Sequence, residues 1–225
     1  VTPDLVRVSG PDTWTFLQSL LSQDVADLRD GERRVALMLT PQGKVEVLLG
    51  VTRDGDDALL DTDAGWGDHL LGLLRRYRIR TAVEMVVERA GAPDTAAEDA
   101  TRIAAGIPRL GRDLDDSTIP QEADLDLDAV SFTKGCFVGQ ELVCRIDSRG
   151  HVNRHLRLLH LEAGAAVPVG SAIEYEGREV GAVTSSAPGV ALGYVRREVE
   201  PGSTVGVGGE TATVRTRPGV RERHS

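Results

Sequence analysis

The stretch FTKGCFVGQELVCRIDSRGHVNRHLR, residues 132–157, gathers the side chains best suited to chemistry in this chain. Cys136 stands between Gly135 and Gly139, with Lys134 two residues before it and Gln140 and Glu141 four and five residues after. Read as an extended segment, the alternation of side chains puts Lys134 and Cys136 on one side. An ammonium beside a thiol favours the thiolate, the form that attacks electrophiles and binds metals. The two glycines permit close backbone approach and unusual torsions. Gln140 and Glu141 then orient a polar ligand or accept from its amide groups. The bland alternative is a cysteine acting as a small buried hydrophobe. Cys144, in the apolar run LVC, fits that description and is not spaced as half of a metal-binding pair.

Two weaker signals surround this segment. His151 and His155 are four residues apart, which suits metal ligation on a helix, but the region reads as extended and no metal site is expected there. The glycines of GVGGE, 206–210, are explained by a β-turn, since no helix follows to make a nucleotide loop.

These residues need elements to hold them. LVRVSG alternates as a strand, and GPDTWTFLQSLLSQDV follows as a helix starting near Ser9, Gly10 and Pro11, with Trp14, Leu17 and Leu21 on its apolar face. Three strands are expected at 34–40, 44–53 and 57–63. The turns Pro41-Gln42-Gly43 and Asp54-Gly55-Asp56 make them an antiparallel meander. A second helix runs through Trp66, Leu70, Leu74 and Tyr77. Arg75, Arg76, Arg78 and Arg80 lie near its end, where cations suit the negative pole of the helix dipole. VEMVVERA reads as a strand, and PDTAAEDATRIAAG as a helix stopped by Gly106. From 106 to 128 the chain is polar and proline-punctuated, a long connection of the kind that serves a site or crosses between units. After Gly150, short alternating segments separated by Gly, Pro and charged turns mark a small all-β barrel or sandwich. The fold class is therefore α+β. A mixed antiparallel-sheet and helix domain occupies 1–150 and a β-barrel 151–225, with a frayed tail, RPGVRERHS. Lys134 and Cys136 are expected to share the wall of a cavity between these domains.

Composition narrows the function classes. The chain has 225 residues, enough for a substantial core, and a net charge of −9. That balance argues against a broad nucleic-acid interface, while leaving room for a local basic patch. No apolar run approaches the roughly 20 residues that span a bilayer, so no membrane partner is expected. Two cysteines make no disulfide framework, which points to a reducing, cytoplasmic setting. The chain begins at Val1 rather than methionine, so a preceding segment stays open.

KGCFVGQE, followed by an arginine and RGHVNRHLR, resembles the K-G-C-[FY]-x-G-Q-E signature of the YgfZ family, folate-binding proteins related to the T protein (aminomethyltransferase) of the glycine cleavage system. VSGPDTWTFLQSLLSQDV, GIPRL…IPQEADLD and VGAVTSS…ALGYVRRE resemble other parts of that fold, so the likeness covers nearly the whole chain. The resemblance implies a glycine cleavage T protein-like domain followed by a small barrel, and a tetrahydrofolate cofactor or a derivative. It implies a role in assembling or repairing iron–sulfur enzymes, including those that modify tRNA by methylthiolation, with iron–sulfur proteins as clients. It makes Cys136 the active residue with Lys134 beside it. It places Gly135, Gly139, Gln140, Glu141, Arg145 and Arg149 around the folate, and Arg154 near its carboxylates. Two departures weaken a true aminomethyltransferase reading: Ala104 stands where a pterin-facing glutamate would be, and Glu46 then Val47 where an aspartate pair would be. A noncatalytic assembly scaffold is the third reading.

Overall fold

A computed structural model describes residues 2–218, apart from the side chain of Arg149. Most of the tail read as frayed lies outside these residues. In the first strand, β1 (Asp4–Ser9), every second side chain is buried, as alternation requires of a strand with one face on a core. The meander follows as β2 (Arg33–Leu39), β3 (Val45–Asp54) and β4 (Asp57–Thr62), within a residue or so of the expected bounds. With β5 (Glu84–Arg89) they form one antiparallel sheet in the order β2-β3-β4-β1-β5. Helix α1 (Thr13–Leu20) packs on β4, and α2 (Gly67–Tyr77) on β1 and β5. Buried Asp4 accepts hydrogen bonds from the Gly65 and Gly67 amides at 2.9 and 2.6 Å, placing a carboxylate at the positive pole of α2.

Helix α1 differs from its expected form. Asp12 rather than Ser9 precedes its first turn, and its buried stripe is Thr13, Phe16, Leu17 and Leu20. Trp14 is not part of that stripe. Its indole N–H donates to the Asp56 carbonyl (3.1 Å), and the Arg53 guanidinium lies 4.7 Å over its ring. One turn of an eight-residue helix decides between two faces, and here the phenylalanine took the inner one.

The chain forms two compact units. The first comprises Val1–Pro93, Asp116–Pro120 and Asp128–Arg149; the second comprises Asp94–Asp115, Gln121–Leu127 and Gly150–Ser225. The division is therefore not one cut near residue 150, although the barrel does begin there. In the second unit, β6 (Arg154–Leu161), β7 (Ala172–Tyr175), β8 (Arg178–Ala187), β9 (Val190–Arg196), β10 (Thr204–Val207) and β11 (Glu210–Arg215) close a six-stranded barrel. Helix α3 (Ala96–Ala104) starts with a Thr95–Glu98 capping box and packs on β8 and β9. Its Arg102 is 3% exposed and explains why this segment joins the barrel. It donates to Asp113 at 2.7 Å, to Asp99 at 2.7 Å and to Ser185 on β8 at 2.9 Å. The 121–127 segment is held the same way, by Arg154 on Glu122 (3.1 Å) and Arg157 on Asp124 (3.3 Å). Arg154 also stacks on Tyr194, 4.3 Å from its centroid. Its guanidinium is thus committed to structure, contrary to the expectation that it meets a folate carboxylate.

Candidate functional site

The 132–145 segment is not a strand. Residues 132–134 form a bend, 135–137 are irregular, and helix α5 (Gln140–Arg149) follows the short α4 (Asp126–Ala129). Local alternation therefore does not set where Lys134 and Cys136 point. The loop is set by its docking on the end of α1. The Ser131 amide donates to the Ser22 carbonyl (2.9 Å), and the Ser22 hydroxyl donates to the Ala129 carbonyl (2.5 Å) while accepting from the Leu37 amide (2.8 Å). Gln23 Nε2 reaches the Asp128 carbonyl at 2.8 Å.

Lys134 completes the anchor. It is 8% exposed, and its Nζ donates to the carbonyls of Gln18, Leu21 and Gln23 at 2.7, 2.7 and 3.0 Å. An ammonium has three donors, and all three are used. The Gln18 and Leu21 carbonyls are left open by the end of α1, where the helix dipole is negative, so a buried cation is favoured there. The Phe137 ring lies 5.6 Å from Nζ. Burial lowers the Lys134 pKa from 10.5 to about 8, and the nearby Asp24 carboxylate partly opposes that.

Cys136, two residues on, is exposed. A cavity of about 420 Å³ opens here. Trp14, Thr15, Gln18 and Ser19 of α1, with Ala26, form one wall, and Lys134, Gly135 and Cys136 the other. The helix residues fall at i, i+1, i+4 and i+5, the side of α1 opposite its buried stripe. That polar stripe is legible in the sequence, but what faces it is not. All eight lining residues belong to the first unit, so the expected position between two domains is corrected.

The remaining signature residues divide. Gly139 has φ +78, and a Cβ there would meet the Thr40 carbonyl, Leu39 Cβ at 2.9 Å and Gly43 Cα at 3.1 Å. Its glycine is required by packing against the β2–β3 turn. Gly135 has open space where a Cβ would be. Gln140 and Glu141 occupy the first turn of α5, Gln140 half-buried and Glu141 exposed. Arg145 is exposed on the same helix, and the Arg149 side chain lies outside the described residues. None of Gly139, Gln140, Glu141 and Arg145 lines the cavity. Cys144 is half-buried. In the second unit, Ala104 ends α3 exposed. On β3, Glu46 is half-buried and its Oε2 is a buried atom with no hydrogen-bond partner among the described residues; Oε1 lies 3.9 Å from Arg76. Among the described residues, no three His, Cys, Asp or Glu side chains converge as metal ligands, and no helix is long and apolar enough to cross a membrane.

This architecture has known counterparts. The chain superposes on the crystal structure of glycine cleavage system aminomethyltransferase T from Bartonella henselae with a TM-score of 0.85, at 20% identity, over 96% of this chain and 83% of that one. The class of fold is thus that of the T proteins, a mixed antiparallel domain followed by a barrel. Residues 156–220 match the family model described as CAF17, C-terminal beta-barrel domain. Within that class the chain is similar to the tRNA-modifying protein YgfZ of Yersinia enterocolitica (32% identical over 127 residues, 56% of this chain and 38% of that protein). It is also similar to the iron-sulfur cluster assembly factor IBA57 homolog of Phaeosphaeria nodorum (31% over 105 residues, 46% and 26%). The chain spans about half the length of the curated aminomethyltransferases it matches.

Proposed function

We propose that this protein binds a reduced folate and supports the assembly or repair of iron–sulfur clusters, including those of enzymes that modify tRNA, through Cys136. The observation that carries the reading is an exposed thiol on a cavity wall whose backbone is pinned by a buried lysine. A mobile loop would lose that placement, whereas three charge-assisted bonds hold it. Iron binds a cysteine as its thiolate. Such a thiolate, its proton passed to water, serves as a transient ligand for iron in a cluster handed between proteins. The relatives named for tRNA modification and iron–sulfur cluster assembly support this assignment.

A folate fits the first unit at one atom. Pterin rings present adjacent N–H donors that pair with a carboxylate, and the Glu46 Oε2 is a buried acceptor without a donor among the described residues. Glu46 would hold that edge, and Gln140 and Glu141 would contribute polar groups from the start of α5. When bound, the folate supplies a one-carbon carrier. The likeness in fold to an aminomethyltransferase supports a folate as the ligand.

Titration calorimetry with tetrahydrofolate and with its 5-formyl derivative tests the binding. Heat is expected with wild type and with Cys136→Ser, and is lost or weakened at least about tenfold with Glu46→Gln. Wild type should restore iron–sulfur enzyme activity in cells lacking the protein, and Cys136→Ser should not. A second reading has its own support: all three Lys134 donors end on carbonyls, so the loop is rigid regardless of the thiol, as a docking scaffold requires. Complementation by Cys136→Ser would select the scaffold, and absence of heat with either folate would remove the cofactor.

A further inference from the structure

The end of α2 concentrates positive charge on an acidic chain. Arg75, Arg76, Arg78 and Arg80 fall within six residues, all exposed, in a protein of net charge −9. The helix dipole accounts for Arg75 and Arg76, which lie in the last turn. Its attraction fades beyond that turn, so Arg78 and Arg80 need another reason. Packing among the described residues does not supply one. Arg76 has a long ion pair to Glu46, 3.9 Å, while the side chains of Arg75, Arg78 and Arg80 have no hydrogen bond or ion pair among the described residues. Arg80 also adopts φ 54, a left-handed conformation that costs a residue with a Cβ about 1–2 kcal/mol and glycine nothing. Between these arginines Ile79 is 76% exposed, and Val86 on the neighbouring edge strand β5 is 55% exposed.

The combination selects among anionic partners. Nucleic-acid sites string many cations along a backbone and add stacked aromatics, whereas this patch has four cations and one half-buried tyrosine, Tyr77, on a negative molecule. An anionic bilayer takes a broad apolar face, and one isoleucine is not that. Arginine is enriched at protein–protein interfaces, whose buried centres are more apolar than the remaining surface. Guanidinium groups pair carboxylates in two-pronged fashion, and the exposed isoleucine between Arg78 and Arg80 in sequence offers contact to an aliphatic side chain. We infer that Arg75, Arg78, Arg80 and Ile79 form a docking surface for an acidic protein segment that also carries an aliphatic residue. None of these residues lines the Cys136 cavity, and Arg76, the arginine of the cluster that pairs with Glu46, is not among them.

The test uses the full chain and a fluorescein-labelled peptide of repeated Glu-Glu-Leu triplets, read by anisotropy. Saturable binding is expected, weakening about tenfold between low and physiological salt as screening sets in. Arg75→Gln/Arg78→Gln/Arg80→Gln should lose about tenfold or more in affinity, and Arg78→Gln alone about threefold, with unchanged circular dichroism because these exposed side chains make no hydrogen bond or ion pair among the described residues. Ile79→Ser should lose about threefold while keeping the salt dependence, and a Gln-Gln-Leu peptide should not bind. The inference is overturned by no saturable binding, by equal binding to the triple variant, or by tighter binding to a single-stranded RNA or to phosphatidylserine vesicles than to the peptide.

Discussion

Lys134→Met keeps the side-chain stem and deletes the ammonium that holds the Cys136 loop. Three carbonyls then lose a charged donor, those of Gln18, Leu21 and Gln23. Bonds to charged groups contribute about 1.5–3 kcal/mol each, so the three together reach about 4.5–9 kcal/mol. The opposing term is the cost of burying the ammonium, visible in the fall of its pKa from 10.5 to about 8. That fall corresponds to about 3 kcal/mol, and less because the adjacent cavity admits water that screens the charge. The bonds win, and the variant should lose about 2–6 kcal/mol, a large share of the stability of an ordinary domain. Urea unfolding at neutral pH, followed by circular dichroism, measures the loss. Iodoacetamide alkylation followed by mass spectrometry should also show Cys136 reacting with altered rate, with half-buried Cys144 as internal reference. A pH series adds a signed check. The folded pKa lies below the unfolded one, so between about 8 and 10.5 the unfolded chain binds the extra proton. The burial penalty is complete below the folded value and is relieved as pH rises through it. Stability from this group therefore climbs with pH across that window, by at most about 1.4 kcal/mol per unit, and the methionine variant lacks the rise. A loss under about 0.5 kcal/mol at neutral pH would refute the anchoring role, since surface substitutions alone do that much.

Gly139→Ala should cost about 2–4 kcal/mol by calorimetric melting, because a Cβ there combines a left-handed φ of +78 with collision against the Thr40 carbonyl. Gly135→Ala, with open space at the same test position, should stay within about 0.5 kcal/mol of wild type, although both glycines belong to one motif. Asp113→Ala should destabilise the barrel unit by about 3–5 kcal/mol in urea, since it strips the 2.7 Å partner from Arg102, a guanidinium that is 3% exposed. Asp113 also accepts from the Arg109 amide at 3.0 Å and the Thr184 hydroxyl at 2.5 Å, which adds unpaired donors to the loss.

Local pattern alone determined the meander, its two turns, the second helix, the β5 strand and the alternating segments of the barrel. In each, period and turn chemistry are properties of neighbouring residues, and the physical cause acts over a few positions. The KGC segment was legible as chemically loaded for the same reason: a lysine, a thiol and two glycines lie within six residues. What each of them does was decided elsewhere. Lys134 is an anchor because carbonyls more than a hundred positions earlier converge on it, and Gly139 is a packing glycine because the β2–β3 turn presses against it. Trp14 left the expected core stripe because Phe16 took the inner face of a two-turn helix, which put the indole on the cavity instead. Residues 94–115 joined the barrel because Arg102, once buried, needed Asp113 and a strand hydroxyl around it. Desolvation is the common cause. A charge or polar group taken out of water must find partners, and only the folded chain brings those partners from distant positions.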